Sequence, residues 1–307
     1  MLRAPRKLLL NDEGNSALHY IDLDVPSRGF TCEGPGRDLQ LVGGGRVLRS
    51  TPTGYVEIDL TKNGEIVRSA ALAGLPGAVE SARRLADGHT LILGNSAAGI
   101  FIWELDKNDV AVPGRQLSGS GLEMGRLLRL GDEGTLLFCS DTGGKRLVHE
   151  ASWQDGVKTL IDLPSNVPAE RIVKAVRVAP AVVVVSTGYA ASLISVDTAS
   201  GQVLQTIGGK TQAQPERLRR PLSPHFFSGF QLFANGDTLI ANWQGHGQQH
   251  GAEGYQLLMY DHDGQLVWAF DQAEFPFISS VNNVIALDHL DVGVLHDERG
   301  GVLVPIT

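Results

Sequence analysis

The sequence has little cysteine. Two thiols, Cys32 and Cys139, stand in 307 residues, and no CxxC pair occurs. That excludes a disulfide framework and a thiolate zinc site, and leaves two small buried thiols in a reducing compartment. Long apolar runs are also missing. The opening MLRAPRKLLLNDEGN reaches only three consecutive leucines, too few for a signal-peptide core or a membrane span. A cytoplasmic location is therefore expected, and a secreted mature chain would read the same. Positive charge is in deficit, with a formal net charge of −8. This argues against nucleic acid or an anionic membrane as the main partner.

Several catalytic signatures are absent too. There is no GxSxG elbow, no Walker loop, no Rossmann fingerprint and no DxDxDG calcium loop. GGGR at 43–46 lies between two strand-like runs and lacks the helix that a phosphate loop needs. No 3.6-residue apolar period runs over a long stretch, so helices are not expected.

Glycine, by contrast, is plentiful at 37 residues, and apolar content is 42%. Many turns imply many short strands in a foldable chain. The strands repeat. ADGHTLIL (86–93), GDEGTLLF (131–138) and ANGDTLIA (234–241) share one shape, with weaker copies at 43–50, 179–186 and 288–295. Each reads as an apolar run, a small-residue turn and a second apolar run, which is a β-hairpin. A second strand–turn–strand follows each hairpin, at 18–30, 55–67, 102–112, 147–160, 193–207 and 257–270. Its turns, KNG, QDG, ASG and HDG, place a glycine where positive φ is needed.

Each unit is thus four antiparallel strands, a to d, recurring roughly every 43 to 55 residues, near the length of a propeller blade. Strands of type a are expected near 38–42, 80–85, 124–130, 172–178, 228–233 and 281–287. The chain begins on a b strand, RKLLLND (6–12), and its partner a strand comes last, SSVNNVIALD (279–288). The expectation is one all-β propeller domain over residues 1–307. It has six blades, closed by N- and C-terminal strands in one blade. The tail DVGVLHDERGGVLVPIT holds more strand than six blades need, which keeps seven open.

The NGDTLI and DGHTLI hairpins, and above all HFFSGFQLFANGDTLIANWQGHG (225–247), resemble PQQ-like and arylsulfotransferase-like bacterial β-propeller repeat proteins. The resemblance implies a fold more than a function. The quinone enzymes of that group are longer and carry tryptophan docking motifs at blade ends. The four tryptophans here have no repeat spacing, which argues against PQQ as cofactor. Arylsulfotransferases use several channel histidines, and here His225 alone stands in a comparable place.

Propeller topology puts the d–a and b–c loops on one face, where ligand sites meet the channel. Aligning the a strands gives a ring of Asp38, Ser81, Arg126, Lys174, Gly229 and Asn283. One residue earlier lie Arg37, Glu80, Gly125, Val173, Ser228 and Asn282. Strand alternation points one set fully inward and leaves open which. A third column, Arg84, Arg129 and Arg177, suits stacking between blades or an anion.

His225, expected at the channel mouth, is the candidate acid–base residue with Glu80, histidine being the side-chain type suited to proton transfer at neutral pH. Arg126, Lys174, Asp38, Asn283, Trp243 and His246 are the candidate ligand-binding residues, with the arginine and lysine suited to an anion. Trp243 opens the longest b–c loop and could stack on a ring. A divalent metal remains open at His225, His246 and His250, with Glu80 or Glu123 as oxygen donors. His246 and His250 are four apart, but the surrounding glycines argue against the helix that makes such spacing meaningful. The expected function is binding of a small polar or anionic ligand, a sugar derivative or other metabolite, at the channel mouth. Lyase, hydrolase or isomerase chemistry could act on it there. The alternative is a non-catalytic scaffold for a protein partner.

Overall fold

The computed structural model describes residues 4–131, 134–167, 169–213, 215–216, 218–273 and 275–306. Six antiparallel sheets form a ring, a six-bladed β-propeller. Blade 1 takes its inner strand from the end of the chain, Val281–Ala286, followed outward by Lys7–Asp12, Ala17–Asp22 and Phe30–Glu33. Blade 2 runs from Leu39–Gly43 to Glu65–Ala71, and blade 3 from Ala78–Arg84 to Ala111–Ser120. Blade 4 ends on Gly156–Asp162 and blade 5 on Val203–Gly208. In blade 6, Phe226–Leu232 is innermost and Leu266–Phe270 outermost. Ring closure follows the expected register, with Leu8 opposite Ala286, Leu9 opposite Ile285 and Leu10 opposite Val284.

The core is divided among the gaps between blades. Leu9, Leu18, Leu41 and Val47 pack blade 1 on blade 2; Leu93, Ile102, Leu128 and Phe138 pack blade 3 on blade 4. Leu10, Leu239, Met259 and Val284 join blade 6 to blade 1. Each face of a sheet therefore meets a neighbouring sheet, which is why the strands read as apolar runs rather than strict alternation. Arginines reinforce two gaps. Arg84 donates to Glu57 of the preceding blade at 2.8 Å, and Arg177 to Glu150 at 2.7 Å.

One feature departs from the sequence reading. The inner strand of blade 4, expected over 124–130, forms a continuous ladder only at Arg129–Leu130, beside a single bond from the Arg126 N–H to the Cys139 carbonyl and an isolated bridge from Leu127 to Lys174. Met124 is left-handed at φ 53°, and the N–H groups of Gly125 and Leu128 turn to the side chains of Asn95 and Ser81 in blade 3. A ladder cannot form where its donors are taken elsewhere.

The tail makes no seventh blade, so the count is the expected six. His296–Arg299 and Val302–Pro305 form a hairpin attached in parallel to the inner strand of blade 6 at Leu232–Val302. A bridge between Val42 and Leu295 anchors it to blade 2. The hairpin carries Asp297 and Glu298 into the channel. Asp297 pairs with Arg83, and Glu298 with both Lys174 and Arg129. Asp38 completes the group, accepting from Arg129 at 3.0 Å and from Ser81. Burial alone would push the Glu298 carboxyl up, but Lys174, Arg129 and Arg83 outweigh it and hold it at about 2.

Candidate functional site

At the other end of the channel lies an open cavity of about 460 Å³. All six blades contribute to it, through the loops and strand starts of one face. Glu13 and Tyr189 come from b–c turns, Met124 and Arg171 from d–a loops, and Glu80, Ser228 and Asn282 from inner strands. Trp243 ends the second strand of blade 6, and His246 lies in the b–c loop that follows it.

The two sides of the cavity differ in chemistry. One side is ionic. Arg37 bridges Glu13 and Glu80, each at 3.1 Å, and Arg126 approaches Glu80 at 3.7 Å. Burial lowers the Arg126 guanidinium against the pull of Glu80, and burial raises the carboxyl of Asp141 nearby. Arg171 adds a third guanidinium. It is left-handed at φ 60°, as is Met124 at φ 53°, and its Nη1 lies 3.1 Å from the Met124 sulfur. A thioether is a weak acceptor, and among the described residues no carboxylate forms an ion pair with Arg171, so the uncommon backbone holds it at the rim.

The other side is aromatic. Tyr189 and Phe226 meet edge-on at 4.7 Å, and Phe226 meets Trp243 at 5.3 Å. His246 stands edge-on to Trp243 at 4.7 Å, largely exposed, with Nδ1 3.7 Å from Glu13. Such edge-to-face packing fixes the rings and leaves a rigid wall.

The expected site residues divide three ways. Glu80, Arg126, Trp243 and His246 line the cavity. His225 and Asn283 sit directly behind it. His225 packs against Tyr189 and Trp243 at 5.5 and 5.9 Å, and its Nδ1 bonds the Trp243 carbonyl at 3.0 Å. Asn283 is buried, donating to the Arg37 carbonyl at 3.1 Å. Gly229 explains its own residue type, since a Cβ there would lie 2.3 Å from the Asn283 side-chain oxygen. Asp38 and Lys174 do not reach the cavity, being buried in the ion network around Glu298.

The histidine loop forms a 3₁₀ turn over Gln248–Glu253 rather than an α-helix, and His246 precedes it. His250 pairs instead with Glu253 at 2.7 Å. Glu123 is exposed and outside the cavity lining. Among the described residues, the group of three histidine and carboxylate side chains whose donor atoms all lie within 4.8 Å of one another is Asp87, His89 and Glu104 in blade 3. There His89 already bonds Glu104 at 2.7 Å.

Glu13, Arg171, Tyr189 and Phe226 complete the cavity without having been singled out in the sequence. The b–c rule that found Trp243 also reaches Glu13 in NDEGN and Tyr189 in STGYA, when applied to every blade. Among the described residues, no helix is long and apolar enough to cross a membrane.

No family model matches the chain, and no curated protein matches it. Solved structures do. A protein of unknown function from Bacteroides caccae is 18% identical with a TM-score of 0.69, covering 92% of this chain and 98% of that one. A streptogramin B lyase is 11% identical with a TM-score of 0.55, covering 86% of this chain and 79% of that one. A chain from a nidogen/laminin complex is 10% identical with a TM-score of 0.62, covering 91% and 97%. At these identities the likeness is one of fold, and the structural neighbours are β-propellers.

Proposed function

We propose that the mouth cavity binds a small anionic ligand that carries a ring, of the sugar-acid or aromatic-acid kind. One observation carries this reading: Arg37, Arg126 and Arg171 face an aromatic wall of Tyr189, Phe226 and Trp243 across one cavity. Guanidiniums bind carboxylates with paired hydrogen bonds, and aromatic faces take the apolar faces of rings. The cavity volume, about 460 Å³, lies within the usual small-molecule range of roughly 300–1,000 Å³.

Glu80 and His246 are the groups that could exchange a proton with such a ligand, and His225 acts through Trp243 as a positioning residue. Elimination, hydrolysis and isomerisation can each run on such an acid–base pair. The streptogramin B lyase supports only that this ring architecture hosts a lyase. The likeness of residues 225–247 to PQQ-like and arylsulfotransferase-like repeats supports a ligand-handling propeller in the same coarse sense. A protein-binding scaffold has less behind it, because the exposed large apolar side chains, such as Ile66, Val110, Leu204 and Phe277, are dispersed over different blades.

Calorimetric titration with potassium glucuronate, galacturonate and benzoate tests the reading. Binding of at least one acid is expected, weakened tenfold or more in Arg126→Ala and in Trp243→Ala. Failure of all three acids to bind, or equal binding by folded variants, rejects it. If an acid is turned over, Glu80→Gln should lower kcat while leaving its affinity within a few fold.

A further inference from the structure

A second cavity, of about 410 Å³, opens at the opposite end of the inner strands, between blades 6 and 1. Its walls are the a–b turn of blade 6, the end of the blade 1 inner strand and the tail hairpin. Leu232, Phe233, Met259, Leu290, Val302 and Val304 make it an apolar cleft.

The polar side chains in its walls are already bonded within the fold. Gln231 accepts from the Ala286 N–H at 2.7 Å and donates back to the Ala286 carbonyl at 3.4 Å. Asp288 accepts from the backbone of Arg6 at 2.9 Å and of Lys7 at 3.2 Å. Asn235 is tied to Asp237 at 2.7 Å. His289, exposed at the rim, is the remaining polar side chain of the lining. Nothing in the walls is arranged for a charged ligand, in contrast to the mouth.

We infer that this cleft is a second binding site, for a compact uncharged lipophile with at most one hydrogen-bonding group, which His289 would meet. A folded protein partner fits the cleft less well. None of the exposed large apolar residues of the described chain lines it, so it has no apolar margin to extend an interface. The size suits a small molecule, and burial of its apolar surface supplies the affinity. One wall, Val302 and Val304, belongs to the hairpin that seats Glu298 in the channel, so an occupant there also braces the hairpin.

The neutral dye Nile red is the probe. Wild-type protein should bind it saturably, one per chain, with blue-shifted emission. Ala234→Trp fills the cleft from an exposed turn position, and Val304→Gln makes its wall polar. Each should weaken dye binding at least tenfold, with near-ultraviolet circular dichroism showing that the variants are folded. Potassium glucuronate, an acid of the class proposed for the mouth, should not displace the dye. Absence of saturable dye binding, equal binding in both folded variants, or displacement by glucuronate would overturn the inference.

Discussion

At the scale of single residues, burial decides protonation. His149 in blade 4 stacks on Phe138 at 4.9 Å and bonds the Ser140 hydroxyl at 2.8 Å. Burial lowers its imidazole from 6.5 to about 4. Between those values the unfolded chain binds more protons than the folded one, so stability falls as pH drops through that window. The shift corresponds to about 3 kcal/mol when fully developed. We predict that His149→Phe combined with Ser140→Ala flattens the decline in urea-unfolding free energy between pH 6.5 and 4. A double variant that keeps the wild-type slope would show that other groups dominate acid sensitivity. The cavity is also a residue-scale matter, and it was partly legible. Counting loops on one face reaches Glu80, Arg126, Trp243 and His246, because the b–c and d–a loops converge at the mouth. Depth along an inner strand is not legible in the same way. Asp38 and Lys174 align with Arg126 in sequence, yet they lie below the cavity among carboxylates brought in by the tail.

At the scale of elements, the tail hairpin is the piece that local sequence reading could not place. Its strands were visible in DERGGVLVP, but nothing local distinguishes a blade strand from a plug. The distinguishing information is long-range charge: Arg83, Arg129 and Lys174, from three consecutive blades, need the hairpin carboxylates. Burial lowers the Lys174 ammonium to about 8 in spite of Glu298, so the pair is held at appreciable desolvation cost. Removing Glu298 takes the carboxylate partner from the buried Lys174 and leaves Arg129 with Asp38. Glu298→Gln is therefore expected to destabilise the fold by about 3–5 kcal/mol. The double variant Glu298→Leu with Lys174→Met should recover part of that loss, since it removes the charges on both sides. Urea denaturation of the three proteins checks this. A double variant as unstable as the single one would mean that packing of the hairpin, rather than charge, holds it in place. The folded carboxyl of Glu298 sits near 2 against an ordinary 4.5, so its contribution is complete above 4.5 and is lost as pH falls toward 2.

At the scale of the whole molecule, one seam closes the ring. The pairing of Lys7–Asp12 with Val281–Ala286 joins residues at opposite ends of the sequence, and Leu10 lies buried in that seam opposite Val284. The seam is legible in the sequence, because the first strand, 6–12, has no inner neighbour before it and the inner-type strand 279–288 has no outer strands of its own blade after it. A ring whose blades each pack on two neighbours has no free end from which to fray, so a defect at the seam should be felt everywhere. Leu10→Ala is expected to cost about 2–5 kcal/mol, the range for a buried leucine truncated to alanine. The tryptophans make the claim testable, since Trp103 lies in blade 3, Trp153 borders the third strand of blade 4, and Trp243 and Trp268 lie in blade 6. In a cooperative ring, tryptophan fluorescence and far-ultraviolet circular dichroism report one coincident urea transition, shifted to lower urea by the substitution. If Leu10→Ala instead splits the transition, blades 6 and 1 melting before the rest, then the blades are independently stable units. The seam would then be a local latch and not the closure on which the ring depends.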